Sequence, residues 1–188
     1  MSTHETFHGQ ETQAYTLISQ LEDMGYKVSV PVDIEDMINF LEIKFEIKPD
    51  FKKIKVTGSI AVKDGEPYIW VNPMKNTSKE RKRFTLAHEL GHFMLHIAPL
   101  KDFNDFQAIE DENISFNRDD NWDYKEMEAN NFAAQLLMPA QFVEKEFDQL
   151  LSTISKIKKD EVIIKLAGKF NVSKQAMEFR LKKLGVQI

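Results

Sequence analysis

The feature that most constrains this chain is a set of three ionisable side chains placed inside an apolar helical pattern, in the run His88-Glu89-Leu90-Gly91-His92. Around it, Leu86, Leu90, Phe93 and Ile97 recur at helical spacing to form one apolar stripe, and Ala87, Gly91 and Met94 fill another side. A helix that is apolar around most of its circumference is buried. Two imidazoles and a carboxylate carried into such an interior are costly unless every polar atom finds a partner, and a divalent cation satisfies them together. His88 and His92 stand at i and i+4, so their rings leave one face of the helix one turn apart and can both reach a cation at roughly 2.0–2.1 Å. Glu89 then sits beside the metal without ligating it, placed to take a proton from a water whose pKa the metal lowers to about 7. Two surface histidines on an ordinary helix would be the plain alternative, and the apolar surroundings count against it.

The chain has no cysteine, which leaves only histidine and carboxylate ligands for a metal and suits a cytoplasmic protein. No apolar run approaches the roughly 20 residues a membrane span requires, and the polar start has no apolar stretch of the secretory kind. At 188 residues there is room for one domain and a small appendage. We expect a disordered leader over 1–10, carrying His4 and His8; a main domain over 11–150; and a C-terminal segment over 151–188. The overall charge of −5 does not advertise nucleic-acid binding by the whole chain.

Periodicity predicts an α+β fold. A first helix carries Ala14, Leu17, Ile18, Leu21 and Met24 and stops at Gly25, and a second is capped by Asp33. From Lys44 the period shortens to two: Phe45 and Ile47 alternate, as do Ile54 and Val56, and residues 59–63 join 68–72 across Asp64-Gly65. This predicts a small antiparallel sheet whose last strand, Tyr68, Ile69, Trp70 and Val71, offers an edge for an extended peptide substrate beside the metal cleft; the alternative is that these four are core and cover residues. Thr77-Ser78-Lys79-Glu80 matches a capping box, so the active helix should begin near Ser78 and run to about Ile97. Residues 99–122 are acidic and irregular and read as a mobile flap with room for a short helix, the alternative being a merely solvated loop. Helices over about 123–137 and after Pro139 follow. Past Ser152 the composition turns basic, and two helices around Asn171-Val172-Ser173 have helix-turn-helix-like spacing. Substrate or partner recognition, or a packed hairpin, suits this segment better than DNA contact, since a basic face alone is usually only solvated.

The segment from Arg83 to His92, together with Glu126-Met127-Glu128-Ala129-Asn130-Asn131-Phe132-Ala133-Ala134-Gln135-Leu136-Leu137-Met138-Pro139, resembles the ImmA/IrrE family of bacterial metallopeptidases. The resemblance extends more weakly through Pro31 to Glu35, Ile69 to Asn72 and the C-terminal helices. It implies a zincin-like fold, in which the sheet packs on an active-site helix and a ligand-bearing helix, with the helix-turn-helix-like segment as an appendage. It also implies a Zn²⁺ endopeptidase, with another divalent cation such as Mn²⁺ as an option, whose substrate is a helix-turn-helix repressor of phage, mobile-element or stress-response genes. The different-class alternative is a non-catalytic DNA- or partner-binding regulator with a vestigial metal site.

The third ligand would come from the second signature, where Glu126 and Glu128 point about 200° apart on a helix. Glu126 shares its stripe with Ala129, Asn130 and Ala133, whose small side chains allow close approach to the active helix at Gly91. Glu126 is therefore expected at the metal, with Asn130 accepting a hydrogen bond from the outer nitrogen of His88 or His92. The family's Glu-x-x-Ala-Asn pattern lands on the same residue. His96 lies about 12 Å along the axis from His88, too far to share one ion, and reads as a structural or helix-end histidine. Tyr124 and His96 are weak candidates for stabilising an oxyanion.

Overall fold

The computed structural model describes residues 13–100, 109–112, 120–153 and 158–186. The expected leader over 1–10 lies outside these residues, as does most of the expected flap. Among the described residues the chain is α+β, with seven α-helices and a small mixed sheet.

Helix α1 (Ala14–Asp23) buries Ala14, Leu17, Ile18 and Leu21, and the chain leaves it through Gly25 at φ +93°, a left-handed conformation that glycine adopts without steric cost. Helix α2 (Ile34–Phe40) starts where the Asp33 carboxylate accepts a hydrogen bond from the Asp36 N–H at 3.1 Å. Strand β1 (Lys44–Ile47) follows, then the hairpin of β2 (Val56–Lys63) and β3 (Glu66–Val71). Asp64 and Gly65 turn the hairpin, both at positive φ (54° and 79°), as a two-residue turn matched to the strand twist requires.

The sheet order is β1-β3-β2-β4, where β4 is Ile109–Glu112. Two expectations are corrected here. The sheet is mixed, because β1 pairs parallel to β3 while β2 pairs antiparallel to both β3 and β4. The stretch Tyr68-Ile69-Trp70-Val71 is not an edge, because β3 is hydrogen-bonded on both sides. Ile69 and Val71 are fully buried in the core, the Trp70 indole N–H donates to the Lys48 carbonyl at 3.1 Å, and the Tyr68 hydroxyl bonds Glu46. The edges of the sheet are β1 and β4. Strand β4 comes from the segment expected as a flap.

Helix α3 (Lys79–His92) begins at Ser78, whose hydroxyl accepts from the Arg81 N–H at 3.2 Å, and continues into a π-helical turn over Phe93–Ile97. Helices α4 (Asp120–Leu137), α5 (Ala140–Thr153), α6 (Lys159–Phe170) and α7 (Lys174–Lys183) complete the chain. Ser173 caps α7, its hydroxyl accepting from the Ala176 N–H at 3.1 Å, and Asn171 closes α6 in the left-handed region at φ 56°.

One hydrophobic cluster takes side chains from α1, α2, the sheet, α3 and α4, and also Val162, Ile163, Leu166, Ala167, Phe170, Met177 and Leu181 from α6 and α7. Arg83 ties these parts together. Only 7% exposed, it donates from Nη2 to the Val32 carbonyl at 2.8 Å and from Nε to the Asn171 carbonyl at 3.2 Å. Burial lowers its pKa, yet a guanidinium stays charged, so these carbonyls supply part of what water no longer does. From α7, Arg180 Nε donates to the Met138 carbonyl at 2.9 Å.

Candidate metal centre

Helix α3 carries its polar groups into the interior as the apolar pattern requires. Leu86, Ala87, Leu90 and Met94 are fully buried, and so are Glu89 and His92, with His88 at 3% exposure. Helix α4 crosses close to it because Gly91 lacks a side chain: a Cβ there would stand 3.3 Å from the Ala129 backbone and 3.1 Å from Phe132. That approach sets Glu126, one turn before Ala129 and Asn130, against the two histidines. Its carboxylate oxygens lie 3.3 Å from His88 Nε2 and 3.1 Å from His92 Nε2, and the two Nε2 atoms are 3.0 Å apart. His88, His92 and Glu126 each present one donor atom within 4.8 Å of the others.

These residues fit a metal ion. Two imidazole nitrogens and a carboxylate make the donor set of a catalytic zinc site with a position left for water or substrate, and thiolate ligands are excluded by the absence of cysteine. Asn130 supports the set from outside. Its Oδ1 can only accept, so at 3.1 Å it holds the proton on His88 Nδ1 and leaves Nε2 as the lone pair that faces inward. Burial pushes His92 down to about 4, against the opposing pull of Glu126, so the ring is neutral and able to ligate at neutral pH. Burial by itself would raise Glu126, but the His88 and His92 imidazoles against its oxygens outweigh it and hold the carboxyl below the ordinary range.

Glu89 lies on the side of α3 that meets the sheet, and there β2 comes very near. A Cβ at Gly58 would fall 2.5 Å from Glu89 Oε1 and 2.7 Å from Thr85 Cγ2, so no side chain fits at position 58 without displacing one of them. A polar bracket maintains this spacing. The Thr85 hydroxyl donates to Asn76 Oδ1 at 2.6 Å, and Asn76 Nδ2 donates to the carbonyls of Thr57 (2.9 Å) and Asn72 (2.8 Å). Asn72 Nδ2 donates to the Val56 carbonyl at 2.9 Å. The pairing of β2 with β4 is irregular between Val56 and Gly58, where these side-chain amides take up backbone carbonyls. Gly58, Asn72, Asn76 and Thr85 were not singled out as site residues from sequence. Asn72-Pro73, with Asn76 following shortly before the helix cap, does, however, mark a built turn in place of a free loop.

Of the residues proposed from sequence, His88, His92, Glu126 and Asn130 are brought together, Glu89 is buried next to His88 in the chain with its carboxylate against Gly58 of β2, and Tyr68, Ile69, Trp70 and Val71 are held in the sheet interior instead. His96 Nε2–H donates to the Lys125 carbonyl at 3.2 Å and so braces the π-helical turn against α4. Glu128 acts on His96, raising its pKa against the larger lowering by burial. Tyr124 is 54% exposed.

A search among curated proteins returns no match. A family model described as the IrrE N-terminal-like domain, a peptidase family, matches residues 47–182. That match begins in β1, ends in α7 and takes in every residue that converges here. With well over half of its length matched, the chain belongs to the ImmA/IrrE (IrrE N-terminal-like) family of peptidases.

Proposed function

We propose that this chain is a zinc-dependent endopeptidase of zincin-like architecture. The observation that carries the reading is the convergence of His88, His92 and Glu126 beside the fully buried carboxylate of Glu89. A divalent cation held by those three residues would polarise a scissile carbonyl and acidify a water. Glu89 accepts the proton of the attacking water and returns it to the leaving amine nitrogen, which breaks the C–N bond without releasing an unprotonated amide. The Gly58 backbone confines that carboxylate, and Asn130 fixes the His88 ring. Mn²⁺ would satisfy the same ligands.

The family resemblance nominates a cytoplasmic helix-turn-helix transcriptional repressor as substrate, cut once to derepress phage, mobile-element or stress-response genes. Support for a protein substrate comes from membership of a peptidase family, and among the described residues no helix is long and apolar enough to cross a membrane. The test is Glu89→Gln. The variant should retain about one zinc per chain while the rate of repressor loss falls by about 10²–10⁴-fold. Full activity of that variant in the cell would reject hydrolysis and favour a non-catalytic regulator with a vestigial metal site.

A further inference from the structure

A cleft of about 860 Å³ opens between α3, α4 and α7, and Glu126 and Asn130 line the end that reaches the metal centre. Its volume is that of a site holding a ligand of several residues or a drug-sized molecule. The apolar part of the walls is Phe84 from α3, Met127 and Ala134 from α4, and Val172, Ala176 and Phe179 from the C-terminal segment. Met127 and Phe179 are 51% and 49% exposed, so two large apolar side chains from different helices face this one space without cover. The lining charges are Glu80, Arg81 and Glu126, which do not favour an anion. Asn131 and Gln175 add amides able to bond a peptide backbone. The α7 wall is anchored, because Arg180 bonds the Met138 carbonyl and Arg83 bonds the carbonyl of Asn171, just before the turn into α7.

We infer that this cleft is the substrate's side-chain site on one flank of the scissile bond, and that it takes a bulky apolar residue. The occupant is the substrate polypeptide itself, because the cleft shares Glu126 with the residues that would hold the metal, and Asn130, which bonds His88, lines it too. The C-terminal segment therefore acts in specificity. Gln175, Ala176 and Phe179 of α7 line this cleft together with the carboxylates of Glu80 and Glu126. This assignment rests on the metallopeptidase reading.

Short peptide hydroxamates, which anchor on a metal through the hydroxamate, test it by affinity without turnover. The zinc-loaded full chain is titrated calorimetrically with a series carrying Gly, Ala, Leu, Phe, Asp or Lys at the first or second position from the hydroxamate. Leu or Phe at one of the two positions should bind about tenfold or more tighter than the Gly parent. Phe179→Ala, which removes a half-exposed wall, and Ala176→Phe, which fills the cleft, should each bring the affinity ratio of the Leu or Phe compound to the Gly parent close to one, with zinc content unchanged. A preference for Asp or Lys, no preference at either position, or an apolar preference that survives both variants would overturn the assignment and leave the metal centre standing. Failure of even the Gly parent to bind the zinc-treated chain would instead remove the metallopeptidase reading, and this site with it.

Discussion

Two helix pairs in this molecule are built on opposite terms. Helices α6 and α7 bury Val162, Ile163, Leu166, Ala167, Phe170, Met177 and Leu181 and leave their lysines in water, so their packing follows the ordinary hydrophobic pattern. Helices α3 and α4 meet over Gly91 and Ala129 and enclose His88, Glu89, His92 and Glu126 beside that contact. Burying four ionisable groups weakens a fold unless each is compensated, and nearby apolar replacements would pack with less cost. The difference separates what is kept for stability from what is kept for chemistry: the second pair holds polar groups that folding alone would not select.

Changes on the two pairs should therefore register in different measurements. The largest effect belongs to the apolar pair. Phe170→Ala, at a fully buried position, should cost about 3–5 kcal/mol in denaturant unfolding, with zinc affinity of the remaining folded protein unchanged. A large drop in that affinity would show the two pairs to be coupled. Next, Glu126→Gln should weaken zinc binding by about a hundredfold or more, beyond the ten- to hundredfold typical when only an outer hydrogen-bond partner is lost, while Glu128→Gln stays near wild type. Equilibrium competition with a chelator distinguishes them, and the reverse ranking would move the third ligand to Glu128.

A smaller effect is expected at the sheet. Gly58→Ala inserts a methyl where Glu89 Oε1 and Thr85 Cγ2 leave no room, and kcat should fall by about tenfold or more with zinc content intact. Unaltered kcat would mean that the Glu89 carboxylate tolerates displacement. The smallest is a pH effect. His92 sits at about 4 in the folded chain against 6.5 for the free side chain, so the unfolded chain takes up the proton first as pH falls. Metal-free protein should be fully stabilised above about pH 6.5 and lose about 1–3 kcal/mol as pH drops toward 4. Glu126, also held low, adds a further loss below its ordinary range. His92→Phe should make the limb between pH 6.5 and 4 shallower, leaving the part due to His96, which burial also lowers, whereas substitutions on α6 and α7 should leave its shape alone.

Much of this arrangement was legible in the residues, because it depends on local rules. The i, i+4 histidines, the caps at Asp33, Ser78 and Ser173, the Asp64-Gly65 turn and the separation of Glu126 from Glu128 each follow from the geometry of one helix or one hairpin. The features that escaped are long-range. Strand β4 offers a single apolar residue, Ile109, in an acidic run, so no alternation announces it. The parallel partner of β1 is out of reach of a four-residue pattern, which carries no direction, and that pairing turned the expected edge into an interior strand. Gly58 reads as a weak point in a strand until the opposing carboxylate is in place. Arg83 resembles any solvated helix cation until its acceptors, contributed by Val32 and Asn171, are known.

That last residue also bears on time. The acceptors of the Arg83 guanidinium are separated from it by 51 and 88 residues, so the helix that carries His88 and His92 cannot complete its own burial when it leaves the ribosome. At about 5–20 residues per second, several seconds pass before Asn171 is synthesised. Until then a cation on the active helix lacks one of its partners and the apolar faces of α6 and α7 are missing. A nascent chain would therefore hold the whole His-Glu-x-x-His sequence without a settled frame around it until α6 and α7 are in place.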